Sequence, residues 1–455
     1  MLTQQPARQA PIFPGAGVFG SLKSFRHDPL KLLMRGFREM GDVVRFRVFT
    51  RFLVLVAHPD HARRVLQDRA TAYNKQTPGF AVLRDLLRDG LLTSEGEHWL
   101  RQRRIAQPAF HQSRIAKFGN TMTTAATTLV DTWLRGSPKT VNVTANMLSL
   151  TLQIVGETLL STDVSRQTES VGQALSIAQR QGNEAINRVI PRPHWWPSAA
   201  NRQLQSAIRT LDRVILDIIT ARRAGADQED LLAMLMQAQD EQTGEGMSNA
   251  QLRDEVMTVL LAGHETTAIA LGWTWYLLSR HPTVRERLHA EVDTALTGRL
   301  PNVTDLPNLS YVHQVVKESM RLYPPAWIVS RCAENEDLLG GFRIPAGTIV
   351  LVSPFVTHRH PEYWVNPNVF DPDRFESTSE AKRPPFAYLP FGGGPRQCIG
   401  NTFALMELVL VVSTIAQRCQ LDLEPGDEVN PSPLITLRAA RPIRMRVSPR
   451  APAPV

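Results

Sequence analysis

Four groups of residues in this chain combine types and spacings that could do chemistry. Cys398 closes the run Phe391-Gly392-Gly393-Gly394-Pro395-Arg396-Gln397 and is followed by Ile399, Gly400 and an apolar, helix-like segment. Amide groups at a helix N-terminus favour thiolate over thiol, and a thiolate in a sterically open glycine turn suits an axial iron ligand. A phosphate loop is excluded at this glycine run, because no Lys-Ser/Thr pair follows it, and its spacing is not that of a dinucleotide loop. Glu318 and Arg321 form the second group, three apart and therefore on one helix face. The third, Ala262-Gly263-His264-Glu265-Thr266-Thr267, interrupts an otherwise apolar helical pattern. Glycine, an acid and hydroxyls at mid-helix are poor choices for helix stability, and such a local inconsistency is where function is expected. In the fourth group a helix brings Trp99 and Arg103 together at i and i+4, with Arg101 and Arg104 pointing away.

The elements that must position these groups can be read coarsely. Residues 44–48 alternate apolar with basic, the period of a half-buried strand, and 52–57 is an unbroken apolar run. From about 62 to 300 the pattern is mostly helical, punctuated at 77–79, at 135–138 and in the Pro191–Pro197 cluster. The interrupted helix is drawn from Ser248 to Ser279, roughly 45 Å long and enough to cross a molecule of this size. Strand signals return at 331–357, a last long helix starts after Cys398, and 434–447 reads as strand pairs. With no internal repeat and no low-complexity linker, residues 1–455 are expected to form a single domain. Its lead, 1–25, is proline-containing, and its β-rich portion is drawn from about 43–57, 331–357 and 434–447.

With these elements in place the sequence resembles the cytochrome P450 haem-thiolate monooxygenases. Their ligand loop, FxxGxRxCxG, is matched by Phe391, Gly394, Arg396, Cys398 and Gly400. Their ExxR helix is matched by Glu318 and Arg321, and their PxRF segment by Pro372, Arg374 and Phe375. Their oxygen-side pattern, (A/G)GxxT with an acid before the Thr, is matched by Ala262, Gly263, Glu265 and Thr266.

The resemblance implies a mainly α fold with a smaller β portion, and haem between a long central helix and the Cys-ligand loop. It implies haem b (iron protoporphyrin IX) ligated by Cys398, and a buried Glu318–Arg321–Arg374 network supporting the ligand loop. Propionates would be held by Trp99, Arg103, Arg331 and Arg396, and protons delivered through Thr266 and Glu265. Trp99 takes the place where bacterial members more often have His. His98 is one residue out of that register, and His264 reads as an ordinary helix-face residue.

By position in that fold the substrate pocket would be lined by the 80–92 loop with Phe80, by Leu261 and Ala262, by Ala326, Trp327 and Ile328, and by the 434–436 turn with Ile435. These residues are mainly apolar, which implies a lipophilic substrate. Trp327 would narrow the space above the iron, while Arg47 and Arg51 are candidates for a carboxylate anchor. The motif spellings lean toward the subgroup that includes fatty-acid and terpenoid hydroxylases.

Composition sets the outer limits. The 455 residues are 43% hydrophobic and 21% charged, which supports a large core rather than a disordered chain. The only cysteines are Cys332, Cys398 and Cys419, too few and too scattered for a disulfide framework, a zinc site or an iron–sulfur cluster. The net charge of +8 is spread out, with no nucleic-acid signature. No signal peptide is apparent, and the charge-free stretch 140–156 falls short of the ~20 mainly apolar residues of a span. A cytoplasmic protein without a membrane anchor is therefore expected.

No flavin module is recognisable either, so electrons for O2 activation would come from a separate donor, such as a ferredoxin or flavodoxin with its reductase. Arg101 and Arg104 are candidates for its docking patch. The expected reaction inserts one oxygen atom of O2 into a C–H or C=C bond of the substrate. The rival readings are a peroxygenase or isomerase of the same fold, which typically lacks the acid–Thr pair, and a haem-binding sensor without turnover.

Overall fold

A computed structural model of the protein describes residues 8–15, 18–136, 139–161, 168–186, 198–225 and 230–450. The Pro191–Pro197 cluster and part of the 135–138 punctuation lie outside the described residues. The chain divides into two compact units, each assembled from distant segments.

The first unit comprises Met1–Ala81, Glu318–Cys398 and Ser432–Arg438. Its centre is a five-stranded sheet in the order Val43–Val48, Arg51–Val56, Ile349–Val352, Val329–Ala333, Tyr73–Asn74. Arg51–Val56 runs parallel to Ile349–Val352, and after Arg51 both are apolar without alternation because both sheet faces are covered. Leu55, Ile349 and Leu351 enter one core cluster, with Phe37, Phe46 and Trp327. Val54, Val56, Val350 and Val352 enter another, with Val65 and Leu66.

The N-terminal lead is part of this unit rather than a loose extension. Ala10 and Phe13 are buried, and backbone bridges join Ile12 to Arg45 and Gly20 to Val48. Gly15, Gly17 and Gly20 spell a dinucleotide spacing that the sequence reading passes over. They precede the first strand instead of following one, so the motif's context is missing. Gly20 is accounted for by its turn, where φ is +59° and a Cβ would meet the Arg47 carbonyl oxygen.

The second unit comprises Val82–Lys317, Ile399–Pro431 and Ala439–Val455. Its axis is the helix Asn249–Arg280, started by a capping box between Ser248 and Gln251. Val143–Leu160 packs along it, and the Thr151 hydroxyl donates to the His264 carbonyl oxygen at 2.8 Å. By length and mean hydropathy, 1.2, Val143–Leu160 could cross a membrane, but its apolar side chains are committed to this core. Asn401–Arg418, which begins after Cys398, packs against Gly119–Leu134.

One expectation about the β portion needs correction. The C-terminal strand, Arg444–Pro449, does not join the 43–57 and 331–357 strands. It pairs instead with Lys139–Asn142 and Cys419–Leu423 in a separate sheet of the second unit. Lys139–Asn142 follows turn residues and is too short for its period to register, so nothing in the sequence pointed to this partner.

Candidate active site

In the first unit the cysteine loop is shaped by its glycines. Gly392 and Gly394 adopt φ of +70° and +66°. A Cβ on Gly394 would lie 2.0 Å from the Leu66 carbonyl oxygen, and one on Gly393 would strike the Phe386 ring at 2.3 Å. The close passage closes a turn in which the Cys398 amide donates to the Phe391 carbonyl oxygen at 3.0 Å. Cys398 itself is exposed, whereas Cys419 is buried and Cys332 half-buried. Burial pushes the Cys419 thiol up to about 11, which keeps it an inert core residue. Gly400 caps the helix that follows.

Behind the loop, Glu318 and Arg321 occupy the last turn of the helix Ser310–Leu322. Arg321 binds Glu318 through two N–H···O bonds of 2.6 and 2.8 Å, and neither side chain is exposed. Its remaining N–H groups donate to the carbonyl oxygens of His358, Pro367 and Val369. Arg374 approaches the same Glu318 carboxylate at 3.4 Å.

Sequence reading missed how this network reaches the loop. His358 Nδ1 bonds the Arg321 carbonyl oxygen at 3.3 Å, while its Nε2 accepts the Leu389 amide at 2.9 Å. That pair of bonds requires the neutral ring protonated on Nδ1. Complete burial and the neighbouring Arg321 charge hold His358 well below the usual histidine range. Trp364 lies under the Arg321 guanidinium at 4.9 Å and donates to the Ala387 carbonyl oxygen. Tyr388 packs between the rings of Phe375 and His358. Residues 387–389, the entry to the cysteine loop, are thus held by Trp364, Phe375 and His358. Only the histidine–arginine–histidine spelling at 358–360 hinted at it.

Arg331 is 7% exposed and donates to the Ser330 carbonyl oxygen. Its guanidinium and the ammonium of buried Lys75 both lie over the Phe80 ring, at 5.8 and 5.4 Å. Arg396 is half-buried in the short 3-10 turn Gly394–Arg396.

In the second unit, Trp99 is buried and Arg103 half-buried on the helix Gly96–Ala106, while His98 is exposed. Arg101 and Arg104 do not form an open basic patch. Arg104 bonds the buried Asp240 carboxylate at 3.0 Å, and Arg101 bonds Glu245 and the Gly246 carbonyl oxygen. They fasten the 240–246 turn, which a helical wheel cannot reveal because the partners are more than 130 residues away.

Between Leu252 and Trp275 the long helix is buried except at Val259, Ala262, Gly263 and Thr266. Spaced i, i+3, i+4 and i+7, these four make one open stripe in a helix otherwise surrounded by protein. Thr266 ends it, its hydroxyl donating to the Ala262 carbonyl oxygen at 2.6 Å. Glu265 and His264 are buried beside it.

Two pocket expectations are corrected. Leu261 packs into the second unit's apolar core with Leu152, Val155 and Leu260, one residue out of phase with the open stripe. Trp327 is buried in the first unit's core, and its indole N–H donates to the Leu434 carbonyl oxygen at 2.9 Å. It therefore ties the 326–329 segment to the 434–436 turn, assisted by the Leu437 amide on the Pro325 carbonyl oxygen. Ala326, Ile328 and Ile435 remain half-buried. Arg47 is half-buried and Arg51 exposed, paired across the first hairpin with Phe52 and Val48.

Residues 11–445 match the family model of cytochrome P450, which runs through both units. The chain belongs to the cytochrome P450 family. It is 39% identical to cyclooctatin synthase of Streptomyces melanosporofaciens, over 90% of this chain and 89% of the relative. It is 36% identical to cyclooctat-9-en-7-ol 5-monooxygenase of the same organism, over 85% and 84% of the two chains. To pentalenene oxygenase of Streptomyces avermitilis it is 33% identical, over 96% and 97%. The crystal structure of the cytochrome P450DA haem domain superposes with a TM-score of 0.90 at 29% identity, covering 98% of this chain and 99% of that one.

The protein is a haem-dependent cytochrome P450 monooxygenase that transfers an oxygen atom from O2 to a lipophilic substrate. Its residues fit that cofactor on two observations. The only exposed cysteine stands on the glycine loop, and a long buried helix leaves one apolar stripe open with a hydroxyl at its end.

Proposed function

We propose that this monooxygenase oxidises a terpenoid, in the cytoplasm, with electrons from a separate ferredoxin or flavodoxin and its reductase. The observation that carries the catalytic part is Cys398, exposed on a loop in which Gly393 and Gly394 cannot be replaced without collision and whose entry is braced by a buried ion pair. The substrate class is supported by the names of the relatives, a cyclooctatin synthase, an oxygenase of the alcohol cyclooctat-9-en-7-ol and an oxygenase of pentalenene. It is also supported by the apolar character of Val259, Ala262, Ala326, Ile328 and Ile435, none of them buried. Apolar residues of this kind suit a hydrocarbon skeleton better than a charged substrate.

In this reading residues 1–455 act as a single domain that serves one haem b. When bound, the thiolate-ligated haem supplies O2 activation and oxygen-atom transfer. Cys398 Sγ is the iron ligand, set by Phe391, Gly394 and Gly400. Arg331, Arg396, Trp99 and Arg103 take the propionates. Arginine's planar fork suits carboxylate, and an indole N–H adds a single neutral donor.

Thr266 Oγ carries the proton used in oxygen activation, and Glu265 resupplies it from solvent. Glu318, Arg321 and Arg374 touch no reacting atom and act by holding the cysteine loop.

The test is turnover of the purified holoenzyme with a surrogate ferredoxin and ferredoxin reductase, on a panel of C15 and C20 terpenes and matched fatty acids. A monohydroxylated or epoxidised terpenoid is expected. Oxidation of fatty acids alone would overturn the substrate assignment.

A further inference from the structure

Glu255 is a buried acid to which the catalytic reading gives no role. It is 2% exposed on the helix Asn249–Arg280. Its Oε2 accepts the Leu91 amide at 3.2 Å, and its Oε1 has no hydrogen-bond partner. Buried polar atoms without a partner are few in native proteins, and each calls for a specific explanation. Burial pushes this carboxyl up to about 8, reinforced by Asp254 and opposed only by the Leu91 amide. Near neutral pH it is therefore mostly an uncharged acid.

Its place on the helix points to a ligand. Glu255, Val259, Ala262 and Thr266 stand at i, i+4, i+7 and i+11, which at 100° per residue puts all four within about 60° of one line. Glu255 thus lies, buried, on the line of the open stripe toward the helix N-terminus, about 10 Å along the axis from Ala262. Leu91, which bonds it, belongs to the 80–92 segment expected to line the substrate pocket; that segment is not a loop throughout but begins in the helix Pro78–Leu87. Arg253, the nearby cation, stands on the opposite face, engaged by Asp212, Asp254 and the Leu86 carbonyl oxygen.

We propose that Glu255 is the polar anchor at the far end of the substrate pocket, exchanging a hydrogen bond through Oε1 with a substrate hydroxyl. The substrate is then a lipophilic alcohol. This rests on the terpenoid-oxygenase reading and narrows it. An uncharged carboxylic acid both donates and accepts, which matches an alcohol. A carboxylate substrate would instead want a cation, and Arg253 is turned away. A site built to bond a hydroxyl also rejects the analogue lacking it, because the buried group is then left unpaired.

The experiment uses the haem-loaded full chain and matched pairs of C15 and C20 polycyclic terpenes, each an alcohol and the hydrocarbon lacking only its hydroxyl. Affinities are read from the substrate-induced spin-state shift. Wild type is expected to bind the preferred alcohol at least about tenfold more tightly than its hydrocarbon. Glu255→Leu should erase that ratio while leaving hydrocarbon binding and the reduced CO-bound spectrum unchanged, and Glu255→Gln should keep part of it. An unchanged ratio in Glu255→Leu, or equal binding of both members by wild type, overturns the anchor but leaves the terpenoid assignment standing. A shift with fatty acids and with no terpene overturns both.

Discussion

Arg321 holds both carboxylate oxygens of Glu318, at 2.6 and 2.8 Å, with neither side chain exposed to solvent. Every other N–H of that guanidinium that bonds does so to a backbone carbonyl, at His358, Pro367 and Val369. The pair is therefore less a salt bridge than a knot joining three chain segments.

Breaking it should be severe. Removing one partner of a buried ion pair leaves an uncompensated charge, at a cost of about 3–5 kcal/mol. Glu318→Ala and Arg321→Ala are expected to lose haem during purification. Arg321→Lys should fare little better, since an ammonium has three donors and no fork. Haem absorbance per mole of protein, alongside a urea midpoint, measures both effects.

Two glycines of the loop should respond differently. Gly394→Ala combines a left-handed φ with a Cβ 2.0 Å from the Leu66 carbonyl oxygen, so the loop must shift. Gly392→Ala has the same backbone strain but open space around it, costing about 1–2 kcal/mol. We expect Gly394→Ala to lose the thiolate-type CO spectrum and Gly392→Ala to retain it. Equal behaviour of the two would mean that the close passage over Leu66 does not shape the loop.

Thr266→Ala should separate catalysis from structure. The hydroxyl bonds only back to the Ala262 carbonyl oxygen of its own helix, a contact with little effect on stability. Haem content should be unchanged while product formed per NAD(P)H consumed falls several-fold, and Thr266→Ser should restore coupling. Full coupling in Thr266→Ala would remove the proton-delivery role.

Acid stability should carry a histidine signature. Burial, aided by Arg450 and Arg285, pushes His289 down to about 4 from 6.5. The unfolded chain takes up that proton as pH falls below 6.5 and the folded chain does not until about 4. Stability from this group is thus complete above 6.5 and is lost as pH falls toward 4, by up to about 1.4 kcal/mol per pH unit. Buried His358 acts in the same direction. Denaturation midpoints at pH 7, 6 and 5 should fall, and His289→Leu should flatten the slope.

What the sequence made legible follows from distance along the chain. The Cys398 loop, the Glu318–Arg321 pair and the Glu265–Thr266 step are local spacings, readable because turn or helix geometry puts neighbours in register. His358 was missed because its role depends on partners 31 and 37 residues away. Arg101 and Arg104 resemble a surface patch on a helical wheel because their acceptors lie more than 130 residues distant. Leu261 was assigned to the pocket, and a one-residue step of 100° turns it into the core. Glu255 carries no motif and becomes visible only through an oxygen without a partner.

Cys398 as the iron ligand is tested most directly by the reduced, CO-bound absorption spectrum. Wild type should give the red-shifted Soret band of thiolate ligation, and Cys398→Ser should lose it while Cys332→Ser and Cys419→Ser keep it. A Soret band in the ordinary imidazole position for wild type, or a thiolate-type band surviving in Cys398→Ser, would contradict it.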